Sequence, residues 1–452
     1  MKVIHPGDPG YQARRKAFLG TLTEELPAAV ACCDTEQDIL AAMELAGARG
    51  LPFVLRGGGH SFAEHSTTTG LVVDLGAMKR IEIGRDTVRV GPGVQIGELA
   101  RRLAGHGRMV PSGWCPTVGV IGAVLGGGYG VFSRLHGLGA DHVLAARVIL
   151  ADGRIVDAPD DLLWALRGAG AGNFGVVTEL TLRTRPVVPI TTVQATCAYG
   201  EAAALVDAWQ HWAPEAPDEV NLEIAVISGD EPGEAPYAVL FGVVAGPEEQ
   251  AAKLLGELEQ AAKLLGGLPA LEEVRLTRLE GAAAACHHAY ADDSGGAVTD
   301  LPLGERPGLR LNKSGFFPGR LPRQAIEDLL DRLAADRVYG EIRDLEFVPW
   351  AGAIGRVAPD ATAFVHRGPR FLLKQSVQVG FRATDERRKD AHAWLNRSWA
   401  RLSPWVSGVY PNYPDAGLEG WAQAYYGGNL ARLRQVKNAY DPAAVFRFAQ
   451  SL

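Results

Sequence analysis

The chain has 452 residues, 47% of them apolar and 21% charged, with a formal net charge of −7 at pH 7. This is ordinary soluble-globular composition and excludes a disordered chain. The acidic balance, without a long basic run, argues against nucleic acid and against an anionic membrane surface as partner. At this length a single hydrophobic core stops growing, so two or three domains are expected.

Cys32, Cys33, Cys115, Cys197 and Cys286 are odd in number and scattered, which is not a disulfide framework. The N-terminus, MKVIHPGDPG, carries no apolar targeting segment, so a reducing, cytoplasmic location is expected.

Residues 35–49 read as a helix, with Thr35 as its cap and apolar positions at helical spacing. Gly50 and Pro52 stop it, and PFVLR (52–56) follows as a short buried strand. That strand runs directly into RGGGHS (56–61), which places a glycine loop at the carboxyl end of a strand, where open sheets bind ligands. Further strands are expected at 71–75 and 87–91, and a helix at 97–107.

The window 109–133 contains no charged side chain. Its apolar character invites a transmembrane reading, but the seven glycines of 112–130 make a poor spanning helix. Glycine at that density brings backbone close to a flat or anionic ligand and presents N–H groups to it. The segment reads as a cofactor-lining wall with one thiol, Cys115, set in it.

Residues 143–151, the dipeptide Asp152-Gly153 and RIVDA predict a hairpin. A helix over DLLWALRG then leads into Gly170-x-Gly172-x-x-Gly175. A Rossmann fingerprint needs a strand before those glycines and a helix after. Here the order is reversed, so a nicotinamide-type site is rejected.

From about Pro186 the glycine clusters thin out, and residues 190–405 read as a second domain, an antiparallel sheet with helices packed on it. EQAAKLLG occurs twice, at 249–256 and 259–266, which predicts one lengthened helix rather than a solenoid unit. The tail has a helix near 429–440 and is dense in aromatic residues, so it is expected to dock rather than fray.

His60, at the tip of its glycine loop, and Cys115 are the candidates for chemistry. Zinc wants three or four ligands, so these two do not make a metal site. Cys286-His287-His288 with Asp292 and Asp293 offers ligands on paper, but adjacent histidines diverge on a regular backbone, and no metal is expected there. A Cys–His hydrolase would need an orienting partner and an oxyanion hole, and no such signature surrounds Cys115.

RGGGHSFAEHSTTTGLVVDL, the CPTVGV…LGGGYGVFSRLHGLGADHV run, LRGAGAGNFGVVT and the tail NY…YYGGN…LRQVKNAYDP…F stand in one order along nearly the whole chain. Together they resemble the berberine bridge enzyme-like flavoproteins of the vanillyl-alcohol-oxidase superfamily. The resemblance implies an α+β fold. A PCMH-type FAD-binding domain of two α/β subdomains would span 1–189, and a substrate-binding domain 190–405. A C-terminal berberine-bridge-type segment, 406–452, would return to the FAD domain.

The same resemblance implies FAD anchored twice, by His60 to its 8-methyl carbon and by Cys115 to a carbon of the same benzenoid ring. The implied cofactor residues are Arg56, Gly57, Gly58, Gly59 and Ser61 on the first loop. Thr117, Val118, Gly119, Gly122, Gly127, Gly128 and Tyr129 follow on the second, with Gly175, Val177 and Asn412 beyond them. Val118 falls where the family varies the residue that screens oxygen. Many relatives read VGVGGH where this chain has Val120-Ile121-Gly122-Ala123, so the detail of the wall differs here.

Tyr413 matches the family tyrosine that takes a proton from the substrate. A phenol with a pKa of about 10 is a weak base, so a neighbouring cation or a hydrogen-bonded tyrosine is expected beside it. Lys313, His366, Gln375 and Gln378 are the substrate-side candidates. The implied activity is an oxidase acting on a carbohydrate-like alcohol or a hydroxylated specialised metabolite, with hydride transfer to FAD and oxygen reduced to hydrogen peroxide. An oxidative cyclase or dehydrogenase, and a non-catalytic flavin-fold binding or resistance protein, stay open as alternatives. The expected partners are the small-molecule substrate and oxygen.

Overall fold

The computed structural model describes residues 1–20, 22, 26–170, 172–265, 271–287, 308–380 and 382–452. Local sequence rules act first. Thr35 is extended and its hydroxyl accepts from the Asp38 N–H at 3.2 Å, while the Asp38 carboxylate accepts from the Thr35 N–H at 3.1 Å. This capping box starts the helix Glu36–Ala48.

Around that helix lies a four-stranded sheet of β1 (Lys2–Ile4), β2 (Ala29–Cys32), β3 (Phe53–Arg56) and β4 (Leu71–Asp74), in the order β1-β2-β4-β3. Both β2 and β3 run parallel to β4. Val30, Ala31, Val72 and Val73 are fully buried, as strands covered on both faces require. The glycine loop 57–61 leaves the carboxyl end of β3.

A second, antiparallel sheet contains β5 (Ile81–Ile83) and β6 (Thr87–Val90). After the short β7 (Arg108–Met109) it adds β8 (Val143–Ile149), β9 (Ile155–Asp157) and β10 (Val176–Arg183), in the order β5-β6-β10-β8-β9. Asp152-Gly153 makes the β8–β9 turn, with Gly153 at φ +84°. A two-residue strand, β11 (Arg185–Pro186), pairs with β7.

The third sheet is antiparallel and has seven strands: β12 (Ile190–Ala198), β13 (Val220–Ser228), β14 (Tyr237–Val244), β15 (Leu271–Leu279), β16 (Leu309–Phe317), β17 (Glu341–Pro349) and β18 (Phe371–Val379). Their order is β15-β12-β14-β13-β17-β18-β16. Helices Ala202–Trp212, Glu248–Leu264, Arg323–Ala334 and Asp385–Trp399 pack on one face through Trp209, Leu345, Phe347, Leu373 and Val377. Phe316, Val348 and Leu372 point the other way, into a cluster with Tyr129, Trp350 and Tyr410. Both faces of the central strands are therefore buried, one by helices and one by the N-terminal half. The duplicated EQAAKLLG lies in the single helix Glu248–Leu264 as far as that helix extends, and Gly266 lies outside the described residues.

The tail crosses back to the N-terminal half. Phe316 and Gly408 form an isolated antiparallel bridge, and further on the helix Leu430–Tyr440 projects Lys437 into the interior. Its Nζ donates to the carbonyls of Asn173 at 2.6 Å and Phe446 at 2.7 Å, and pairs with Asp441 at 2.8 Å. No helix among the described residues is long and apolar enough to cross a membrane. No described group of three His, Cys, Asp or Glu side chains is placed to hold a metal ion. Cys286 and His287 end the helix Gly281–His287, whereas His288, Asp292 and Asp293 lie outside the described residues.

Candidate active site

A cavity of about 650 Å³ runs between the two glycine loops, the C-terminal tail and the polar face of the seven-stranded sheet. That volume is within the usual range of cofactor and substrate sites. The two loops meet back to back. A Cβ on Gly58 would sit 2.4 Å from the Gly119 nitrogen, and one on Gly119 would sit 2.8 Å from the Gly58 nitrogen. Glycine is required at both positions by contact alone. Gly58→Ala is therefore expected to force the loops apart and sharply lower the fraction of purified protein that retains FAD, read as the ratio of flavin to protein absorbance. A variant with normal flavin content would remove the loop contact from the account.

That contact brings His60 and Cys115 together. Thr117 Oγ1 lies 3.1 Å from His60 Nε2 and 3.4 Å from Cys115 Sγ, so one hydroxyl bridges imidazole and thiol. The other side of the imidazole is covered by Phe18, stacked at 3.8 Å and 16°. Burial pushes the His60 pKa down to about 3, against a raising contribution from Thr117. The ring is therefore neutral near pH 7, with a nitrogen lone pair available as a nucleophile.

His65 and His366 are likewise pushed down to about 4 by burial. Each of these three histidines binds fewer protons folded than unfolded. Their stabilising contribution is thus present above the unfolded value of about 6.5 and is lost as pH falls towards the folded values. The apoprotein Tm is expected to decline as pH is lowered from about 6.5 towards 4. A Tm flat across that window would contradict neutral burial of these rings.

Of the expected cofactor residues, Gly57, Gly58, Gly59, Ser61, Val118, Gly119, Gly122, Gly128, Tyr129, Gly175, Val177 and Asn412 line the cavity. Arg56 is placed otherwise. Its guanidinium turns inward to Asp74 at 3.3 Å and to the carbonyls of Arg14 and Arg15, holding the loop from behind. Gly127 also stands behind the wall, where a Cβ would meet the Phe364 ring at 2.9 Å. Deeper along the cavity His65 Nε2 and Ser66 Oγ are buried without a hydrogen-bond partner among the described residues. A bound polar group would satisfy them. Glycine backbone, a paired imidazole and thiol, and orphaned polar atoms along one continuous cavity fit FAD.

At the other end the Tyr413 hydroxyl lies 2.7 Å from that of Tyr129, which donates to Glu346 at 3.3 Å. Glu346 is ion-paired with Lys374, whose Nζ also stands 5.4 Å from the centre of the Tyr413 ring. Arg310, paired with Asp344 at 2.9 Å, and Gln378 extend this wall. Trp114 and Phe241, with ring centres 5.7 Å apart, face it from the apolar side.

Asn412 and Tyr410 brace the arrangement. Asn412 Nδ2 donates to the Ala123 carbonyl at 2.7 Å and to the Tyr410 hydroxyl at 3.0 Å. That hydroxyl also accepts the N–H groups of Gly128 and Tyr129. The cation and the hydrogen-bonded tyrosine expected beside Tyr413 are both present. Even so, burial and then the Glu346 charge hold the Tyr413 phenol well above its ordinary value, although the Tyr129 hydrogen bond pulls it down. Tyr129 is raised for the same two leading reasons.

Among the substrate-side candidates, Gln378 lines the cavity and the other three point elsewhere. Lys313 pairs with Asp415, and Gln375 donates to Ser398 at 2.7 Å on the helical side of the sheet. His366 stacks on Phe316 and its Nε2 lies 2.9 Å from the Tyr425 carbonyl oxygen. The first two corrections are a matter of strand parity. On β16 and β18 the even-numbered residues face the cavity half, so Arg310, Lys374 and Gln378 occupy the wall. Sequence reasoning missed Arg310, Glu346 and Lys374. The available signal was polar residues two apart, Asp344/Glu346 and Lys374/Ser376/Gln378, blurred by Glu341, Arg343 and Gln375 on the opposite parity.

Residues 27–159 match the family described as FAD binding domain, and residues 409–452 the family described as Berberine and berberine like. An uncharacterized FAD-linked oxidoreductase of Bacillus subtilis (strain 168), YgaK, is 30% identical over 466 residues, covering 100% of this chain and 96% of that protein. The structure of Physcomitrella patens BBE-like 1 superposes with a TM-score of 0.87 at 26% identity, covering 100% of this chain and 96% of that one. The Acremonium strictum glucooligosaccharide oxidase also gives 0.87 at 26% identity, covering 100% and 95%, and its structure is described as revealing a novel flavinylation.

Proposed function

From the premise that this chain belongs to the berberine bridge enzyme-like FAD-linked oxidases, we propose that it carries FAD bicovalently on His60 and Cys115 and oxidises an alcohol. The substrate class is a carbohydrate-like alcohol or a hydroxylated specialised metabolite. When bound, FAD supplies the hydride acceptor and the route by which oxygen is reduced to hydrogen peroxide.

The observation that carries the reading is the Tyr413–Tyr129–Glu346 chain, closed by Lys374, at one end of the cavity that His60 and Cys115 flank. Tyr413 is held neutral, so it does not act as a resident phenolate. It takes the substrate hydroxyl proton as its own proton passes to Tyr129, and the Tyr129 proton passes to Glu346. Lys374 stands against the carboxylate that is to receive this proton. Trp114 and Phe241 offer an apolar shelf for the body of the substrate, and Arg310 and Gln378 offer hydrogen bonds to its remote end.

Two measurements test this reading. Denatured protein is expected to stay yellow, with flavin on peptides containing His60 and Cys115. His60→Ala and Cys115→Ala singly are expected to leave it attached through the surviving residue, and the double variant to release it. Complete release of free FAD from denatured wild type would end the bicovalent reading. An aerobic peroxide screen across sugars and hydroxylated aromatic alcohols then identifies the substrate class.

A further inference from the structure

Glu223 takes no part in the relay above, yet it lies beside it, fully buried on β13. Its neighbours Leu222 and Ile224 pack into the helix-side core, so Glu223 points to the opposite face, towards the tyrosines. In the strand register Ala225 pairs with Glu346, and Glu346 pairs with Lys374. Glu223 and Glu346 are thus diagonal neighbours on one face, a separation that long side chains span.

Asn221 Nδ2 donates to Glu223 Oε1 at 2.8 Å, while Oε2 is buried without a hydrogen-bond partner among the described residues. From β17 the charged groups on this face are Glu346 and Asp344, from β18 Lys374, and from β16 Arg310. Arg310 and Asp344 are paired with each other, and Lys374 with Glu346. Tyr129 and Tyr413 face the cluster from the packed loops, and β14 contributes the apolar Phe241 opposite Glu223. Both cations on this face already pair with other carboxylates, Lys374 also lying 4.0 Å from Asp344, and a buried charge without a partner of its own is costly. Burial and then the Glu346 charge push the Glu223 carboxyl well above its ordinary range, although the Asn221 hydrogen bond and Lys374 pull it down.

We propose that Glu223 is a positioning residue that carries a proton and donates it as a hydrogen bond to the Glu346 carboxylate, so that the relay ends on a carboxyl–carboxylate pair. This rests on the relay reading given above. The hydrogen bond holds the Glu346 carboxylate in place, oriented towards Tyr129. When the relay fires, the O–H bond of Tyr129 breaks as one forms on Glu346. Tyr129 regains a proton from Tyr413, and Tyr413 regains one from the substrate. The pair then holds two protons beside Lys374, and one leaves through the cavity to solvent before the next turnover.

The test is infrared spectroscopy of the holoenzyme without substrate. Wild type at pH 7 is expected to show the C=O stretch of a protonated carboxylic acid that shifts in D2O, persists from pH 6 to 8, and disappears in the isosteric variant Glu223→Gln. Glu346→Gln is expected to move that band to higher frequency, because an amide is a weaker acceptor than a carboxylate. A wild-type spectrum without the band, a band that survives Glu223→Gln, or one unmoved by Glu346→Gln would overturn the proposal. Failure of the relay itself reads differently: anaerobic reduction by substrate would then be as fast in Glu346→Gln as in wild type, whatever the infrared result.

Discussion

Phenylalanine at position 413 is expected to slow anaerobic reduction of the enzyme by its substrate by about 10²–10⁴-fold, the usual weight of a positioned proton-transfer group. The substitution removes the hydroxyl that meets Tyr129 at 2.7 Å and leaves the ring, which packs edge-on against Tyr410 with centres 5.2 Å apart. Flavin content and Tm are therefore expected to change little. Stopped-flow bleaching of the flavin is the measurement. An unchanged rate would take Tyr413 out of the mechanism. A wild type that binds hydroxylated aromatics tightly, and is bleached by no alcohol, would favour the non-catalytic binding protein.

Asp441→Ala is expected to cost about 3–5 kcal/mol of stability, the loss typical of a buried charge left without its partner. Asp441 and Lys437 are 1% and 5% exposed, so neither charge can turn to water. The carboxylate also accepts the N–H groups of Val445 and Phe446, and Phe446 and Phe448 form part of the cavity wall. Denaturant unfolding should show the loss, together with easier release of any flavin not covalently held. Replacing both residues with apolar ones of similar size should recover part of the stability, since the stranded charge disappears with its partner. Wild-type stability in Asp441→Ala would mean that the tail is held by other contacts.

Much of the scaffold is legible in the sequence. Thr35 with its capping box, the Asp152-Gly153 turn and the glycine run after β3 are decided within a few residues, so local chemistry predicts them. His60 and Cys115 stand out in the sequence because glycine loops announce backbone held close to a ligand, and four motifs in order point to one family. The substrate wall was harder to read. Lys313 and Gln375 look as promising as Gln378, yet Lys313 is tied to Asp415 and Gln375 to Ser398, while the neighbouring Lys374 holds the wall.

The sequence by itself determined the two glycine-rich segments and the imidazole and thiol set in them, because backbone freedom and turn chemistry hold wherever a segment is placed. The tail tyrosine came from the order of the four motifs, not from its own surroundings. Only the tertiary structure decided which side chains face the reacting end. Gln375 and Lys374 are 0% and 7% exposed, because the sheet is covered on both faces, and the alternation of apolar and polar residues that normally marks the inner side is lost. With that contrast gone, the pairing of Tyr129 with Tyr413, 284 positions apart, and the placing of Glu346 and Glu223 beneath them are set by strand register and domain packing alone.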